Sequence, residues 1–522
     1  MIPDRGRRWR AVHHVVGSLV VAGWLGTTLS TCWPQASESF DPSRALPPAR
    51  GATERSFGIY YQDTKIGFAQ NQRIPLDDGG ARFLDRAYWR FRAQGMVQRL
   101  ATESEVEVDA HWALRRFKAR IDAGVARLGV QGVVHGNSLD VEVQTGGRVE
   151  KESFDLPGPV IVPAVIRAFV AARDPEPGTN LQLQVYNPLF RDLETIDVLV
   201  EERTEQGWRI SEIFRSALKT DAWIDRDGMT RREDSAIGFS MRAEPRDEAL
   251  RLSDDSESVP DLILAVAAPA TGAVPDSPAT VTKLKVRLQG IDSSSFPLLQ
   301  GQSQQRLDDI LTVSRETWPA QVSYTLPYVV LAQGADAADP STPPAWDRPE
   351  LALLPETLLQ ARDPAVVAKA REILDGTVNP AEAAMRLSTW VHEHVRKVNS
   401  AGVPSAIDVL NSMQGDCNEH TVLFTALARA VGLPARMAAG VVLVDLHGEG
   451  AAFYYHAWPE VWLDGWRALD PTLGQIPADA THLRFVVGGL DQQVDILRLI
   501  GSLRVEILET EGGPSPAQES TP

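Results

Sequence analysis

Cysteine is nearly absent from this 522-residue chain, which holds only Cys32 and Cys417. Cys32 closes an N-terminal apolar stretch and Cys417 stands alone in the body, so loss of the N-terminus would leave no disulfide within the mature chain. A disulfide framework is excluded, and a lone thiol has to be read from its neighbours for reactivity. Basic charge is also short. Lys and Arg number 52 against 69 Asp and Glu, and the net charge of −17 leaves no general basic face for nucleic acid. No phosphate loop or dinucleotide fingerprint occurs, no Cys or His cluster has zinc-site spacing, and no repeat of fixed period runs along the chain. We expect no cofactor and no metal.

Long apolar runs are scarce too. The one at the N-terminus, Val15 to Leu29, is about fifteen residues, short for a bilayer span and suited to a signal-peptide core. Arg5, Arg7, Arg8 and Arg10 supply the basic segment before it. Residues 1–33 are therefore expected to be a signal peptide or N-terminal anchor of an exported protein, in the periplasm or fixed in the bacterial envelope. Leu29-Ser30-Thr31-Cys32 resembles a lipoprotein box in which Cys32 would carry the lipid, although Thr31 departs from the small residue usual before the cysteine. Retained, the segment would keep its N-terminus cytoplasmic and associate the chain with the membrane.

What is present is an ordinary globular composition, 43% hydrophobic and 23% charged, in a chain long enough for two or three cores. Residues 34–55 are rich in Pro, Ser and Ala and read as a linker. Alternating segments follow, including Phe57–Tyr61, Thr102–Val108, Ala113–Ile121, Leu139–Val143, Leu181–Val185, Thr195–Val200 and Trp208–Phe214. Their period of two predicts a β-rich antiparallel accessory domain over 56–245, with Val160–Ala172 as a helix laid on the sheet. Residues 246–280 read as a second linker, 281–345 as a small β-containing segment with a breaker at Thr342-Pro343-Pro344, and 511–522 as a tail. From about residue 350 helices take over: Asp363-Pro364 and Asn379-Pro380 open two of them, Ser405–Asn411 is a third, and a fourth runs from Cys417 to Val431, closed by Gly432 and Pro434. Strands at Ala438–Val444, Tyr454–Leu463 and Trp466–Leu469 follow, an α+β order.

The segment Gly415-Asp416-Cys417-Asn418-Glu419-His420 carries the most chemistry. Asp416 is a good N-cap and Glu419, three residues on, completes a capping box, so Cys417 is the first helical residue. Unpaired backbone N–H groups and the positive end of the helix dipole there favour a thiolate and can donate to an oxyanion. Such a thiolate needs an imidazole, and the imidazole an acceptor on its other nitrogen. His392, His394, His420, His447, His456 and His482 are the candidates. His456 lies in a strand, and Asp470 ends the next strand fourteen residues later. A two-residue turn at Asp464-Gly465 would set Asp470 opposite Pro459, on the face away from His456, so an irregular or odd-length loop between Val461 and Arg467 is expected.

Gly415-Asp416-Cys417-x-Glu419-His420, Gly432-Leu433-Pro434-Ala435-Arg436, His456-Ala457-Trp458-x-Glu460-Val461 and Asp470-Pro471-Thr472, in that order, resemble the bacterial transglutaminase-like superfamily. The resemblance covers about 350–490 strongly and the tail from Ile496 to Glu509 loosely. It implies a papain-like core within a domain at 350–510, with Cys417 as nucleophile, His456 as general base then acid, and Asp470 as orienter. Animal transglutaminases use calcium, but no Asp-rich loop with calcium-ligand spacing lies near this site.

Other residues read more plainly. His420, one turn from Cys417, is assigned to structure, and His392 and His394, two apart on one helix, to a solvated face. Trp458 and Trp462 share the His456 face by strand parity and either line the site or pack the core; Tyr454 and Tyr455 could form a substrate wall. The expected function is an exported cysteine enzyme forming a thioester on peptide or amide carbonyls, as hydrolase or acyltransferase, with protein or peptide substrates. The rival is a non-catalytic envelope binding or assembly protein in which the papain-like core is a scaffold.

Overall fold

The computed structural model describes residues 51–512 apart from 94–95, 125–126, 189–190, 215–217, 254–258, 292–300, 302, 328–347, 399–403 and 446–450. The expected signal or anchor segment with Cys32, the Thr342-Pro343-Pro344 breaker, His447 and most of the expected tail lie outside them. The described chain separates into two compact units with the boundary at Ala265 and Val266.

The N-terminal unit is built on one antiparallel sheet of fourteen strands between Thr53 and Glu244. Successive strands pair with each other except Arg148–Asp155 and Asn180–Asn187, which stand at the two ends of the sheet, and Thr53–Tyr61 pairs with Phe239–Glu244, which joins the two runs of hairpins. Every segment of this unit read as a strand from its alternation falls on one, with Ala113 alone just outside. The alternation is visible as burial: in Ser138–Thr145, Leu139, Val141 and Val143 face inward while Asp140 and Gln144 face water. Phe57, Ile59, Trp89, Phe91, Phe117 and Tyr186 fill the interior. The expected helix at 160–172 is present as a 3₁₀ turn at Pro163–Val165 and an α-helix at Ile166–Ala171. A turn at Asp225–Met229 rests on that helix. Gly228 permits this, having φ +78° and a hydrogen where a Cβ would lie 2.4 Å from the Ala168 Cα.

The C-terminal unit is α+β. Its helices Pro364–Leu374, Pro380–His394, Ala406–Ser412 and Cys417–Ala430 begin within a residue of the expected positions. Each start is capped by a side chain: Asp363 accepts from Ala365 N, Asn379 from Ala381 and Glu382 N, and Ser405 from Asp408 N. The Cys417 helix is buried on all sides, so it reads as apolar or small nearly throughout and is the centre of the core. Leu387, Val391, Leu423, Phe424, Leu427, Val461 and Leu469 pack together around it. Each such side chain contributes about 1.5–3 kcal/mol by leaving water.

Among the described residues, the expected linker over 246–280 and the expected separate segment over 281–345 both supply strands to the sheet of the C-terminal unit. Ala268–Gly272 is a strand that pairs with Phe453 on one side and with Val505–Ile507 on the other. Val281–Gln289 pairs with Arg504–Gly512, and Ile310–Ser314 and Gln304–Leu307 extend the same sheet. The Pro, Ser and Ala content misled because a five-residue strand held by ladders on both sides needs little help from its own side chains.

Candidate active site

Cys417 is the first residue of its helix, and the expected capping box is present. Asp416 accepts from Asn418 N at 3.0 Å and from the Glu419 backbone, while Glu419 Oε2 accepts from Asp416 N at 2.9 Å. Gly415 makes room for it: at φ +156°, a Cβ would lie 2.2 Å from Glu419 carbons. The cap therefore occupies the N–H groups of Asn418 and Glu419, two of those considered as oxyanion donors.

The helix packs against two strands, Ala435–Val444 and Ala452–Trp462. The second carries His456. The hairpin after it has a three-residue loop, Leu463-Asp464-Gly465, with Trp462 opposite Trp466 and Glu460 opposite Ala468. This odd loop, with Asp464 at φ +54°, sets Asp470 on the His456 side. His456 Nε2 lies 2.7 Å from Asp470 Oδ2. Asp470 Oδ1 accepts from Thr472 N at 2.7 Å and Leu473 N at 3.0 Å. Cys417, His456 and Asp470 are each 0% exposed. Burial alone would raise the Asp470 carboxyl, but the paired histidines outweigh it and hold Asp470 well below the usual carboxylate range. An ionised Asp470 only accepts, so Nε2 of His456 carries the proton and donates. Its buried Nδ1 then presents a lone pair, with no hydrogen-bond partner among the described residues.

His482 was not assigned a role from sequence, and the structure brings it here. Its Nε2 is 3.2 Å from the same Asp470 oxygen, and its Nδ1 is 3.2 Å from Asp479 Oδ1. Trp458 lies beneath both imidazoles, near parallel to His456 at 6.0 Å and edge-on to His482 at 5.0 Å. His456, Asp470 and His482 offer three ligand atoms within 4.8 Å of one another, the one metal-sized group among the described residues. As arranged, the lone pairs of Asp470 Oδ2 are taken by N–H donors from both rings, so the cluster is a hydrogen-bonded chain and not an open ligand set.

His392 is not on a solvated face. Its Nδ1 is 2.8 Å from the carbonyl of Pro471, and Gly474 approaches its ring, so it braces the turn that holds Asp470. His394 is exposed and stacks on Trp390 at 4.7 Å. His420 is buried and bonds through Nδ1 to the carbonyl of Asp416; burial pushes it down to about 4, so it is neutral. Tyr455 is core, and Trp462 packs edge-on against Trp466.

Two further motif positions prove to be one buried ion cluster. Glu460 accepts from Arg436 Nε at 2.8 Å on the paired strand and from Arg484 Nη1 at 2.7 Å. Burial would raise Glu460, yet Arg484 and Arg436 pull it to about 2. The cluster ties the His456 strand to its neighbour. Opposite charges in two apolar strands were the sequence signal for it.

Residues 367–471 match the family model of the transglutaminase-like superfamily. The match spans Cys417, His456 and Asp470, and the C-terminal unit carries a transglutaminase-like core. Over 146 residues the chain is 26% identical to an uncharacterized protein of Mycobacterium leprae, covering 23% of this chain and 51% of that one, so it spans about half the length of this curated relative. Among solved structures, the periplasmic domain of TgpA from Pseudomonas aeruginosa bound to ethylmercury is similar over 38% of this chain and 91% of that one, at 18% identity and a TM-score of 0.21. A β-barrel-like protein of a domain of unknown function from Brucella abortus is similar over 37% and 94%, at 12% identity and a TM-score of 0.30.

Proposed function

We propose that the chain is a cysteine enzyme that forms a thioester acyl-enzyme on peptide or amide carbonyls, with Cys417 as nucleophile, His456 as base and Asp470 as orienter. The observation that carries this reading is the His456–Asp470 pair at 2.7 Å, leaving a partnerless Nδ1 on the strand against which the capped Cys417 helix packs. The Sγ proton passes to His456 Nδ1, giving a thiolate–imidazolium pair, and the thiolate bonds to the carbonyl carbon. Positive partial charge at the helix start favours the thiolate, and the Cys417 backbone N–H is our assigned oxyanion donor. The tetrahedral adduct collapses with cleavage of the C–N bond, and His456 returns the proton to the leaving amine. Water or a second amine then attacks the thioester and gives its proton to His456, the C–S bond breaks, and the thiol is restored.

Water as acceptor makes the protein a hydrolase and an amine makes it an acyltransferase. We place it in the exported, envelope-facing class on the basic and apolar pattern of residues 1–33. Among the described residues no helix is long and apolar enough to cross a membrane. The test is incubation of the full chain with casein or a glutamine peptide and a labelled amine. Shorter peptides or incorporated amine, lost in Cys417→Ala, support the reading; neither product, or product that persists in Cys417→Ala, overturns it in favour of a binding or assembly role.

A further inference from the structure

We propose that His482, hydrogen-bonded between Asp470 and Asp479, is a positioning residue of the Cys417 site, fixing Asp470 toward His456 and offsetting its charge. The inference rests on the proposed function and deepens it. Each ring nitrogen of His482 faces a carboxylate oxygen, at 3.2 Å on either side. Two ionised carboxylates only accept, so both nitrogens must carry hydrogen, and the ring is an imidazolium. Burial alone would favour the neutral ring, but Asp479 and then Asp470 outweigh it and push His482 up to about 9.

The surroundings leave it little freedom. Asp479 accepts from Thr481 N at 2.8 Å and Thr481 Oγ1 at 2.6 Å, and from Gln475 Nε2 at 2.7 Å. Burial would raise Asp479, but His482 and Thr481 hold it below its usual value. The His482 ring is edge-on to Trp458 and 5.8 Å from the His456 ring. The charged or titratable groups facing it are Asp470 and His456 from the hairpin and Asp479 from its own turn. Lys397 and His420 also feel the charge of Asp470, and burial lowers both. The strand paired with Leu483–Val487 sets Gly440 and Val441 against Arg484 and Leu483 and adds no charge.

A hydrogen-bonded chain Asp479–His482–Asp470–His456 follows. Asp470 receives four donors, two backbone and two imidazole, so its orientation is over-determined. The cation beside it partly cancels the negative field of Asp470 at the His456 imidazole. A change at His482 is therefore felt by the proposed pair of His456 and Cys417.

Iodoacetate tests this, because an anionic alkylating agent follows both limbs of a thiolate–imidazolium pair. Wild type and His482→Gln, both as full chains, are alkylated across pH 5 to 10 and the labelled cysteine is mapped. The expected result is a bell-shaped wild-type profile whose basic inflection moves upward by about one pH unit in His482→Gln, as loss of a nearby cation requires. A purely structural role would lower the melting temperature and leave the inflection where it was, and superimposed profiles overturn the proposal. A wild-type Cys417 that reacts no faster than free cysteine removes the proposed function itself, and the positioning role with it. A measurement that needs no His482 variant stands beside these. In the ¹⁵N-histidine spectrum of the full chain at pH 7.5, the ring perturbed by Asp479→Asn should carry N–H at both nitrogens; a single N–H there overturns the proposal.

Discussion

Two of the buried charge clusters, one taken from each unit, use the same kinds of contact to different ends. In the N-terminal unit, Arg167 on the short helix donates to Glu212 at 3.0 and 2.7 Å, to Glu233 at 2.7 Å and to Thr230 at 2.8 Å. Burial would weaken the cation, but Glu212 and Glu233 outweigh it and hold it charged. That cluster closes on itself and pins helix to sheet. In the C-terminal unit, Asp479, His482, Asp470 and His456 are joined in a row, and the row ends at Nδ1 of His456 with no partner among the described residues. A self-satisfied network holds structure. One that stops a bond short leaves a nitrogen open, and the proposed function uses that nitrogen as its base.

The sharpest way to break this comparison is Asp470→Asn. The amide keeps the shape but leaves His456 with the wrong tautomer, and the rate of amine incorporation or peptide cleavage should fall by about 10⁴. A loss of less than tenfold would show that Asp470 is no orienter. Arg167→Ala is the counterpart in the other unit. It strands two buried carboxylates, so the unfolding transition of the N-terminal unit in the full chain should lose about 3–5 kcal/mol, while the alkylation profile of Cys417 stays unchanged.

His482 links the two kinds of effect through pH. Its folded value of about 9 exceeds the ordinary 6.5, so the stability it contributes is full below about pH 6.5 and is lost as pH rises through about 9. Urea midpoints of wild type should fall over that interval more than those of His482→Gln; parallel curves would deny the buried imidazolium. The smallest effect separates two caps. Asp416→Ala and Asp363→Ala should each cost about 1 kcal/mol, but only the first should slow alkylation, since only that helix begins at the thiol.

Much of the site was legible in sequence because its physics is local. Asp416, Cys417 and Glu419 lie within four residues, and the cap follows from their spacing alone. Asp470 required one step more, the parity of a hairpin, which demanded the odd loop at Leu463–Gly465 that the structure contains. The α+β order was legible for the same reason, since helix caps and strand alternation are short-range signals. His482 carried no such signal. A histidine between Thr481 and Leu483 becomes part of the site only when the turn at Ala478–Ala480 folds back on Asp470. The strand Ala268–Gly272 was hidden likewise, because its partners lie far along the chain, and for the β-containing segment from residue 281 it was the pairing of Val281–Gln289 with Arg504–Gly512 that was hidden, not the strand.

The central claim is that Cys417 is a nucleophile primed by His456. The most direct measurement is the rate of iodoacetamide alkylation of Cys417 at pH 6 in wild type and His456→Ala. The account predicts rapid labelling in wild type and a rate reduced to that of free cysteine in the variant. Equal rates in the two proteins would contradict it.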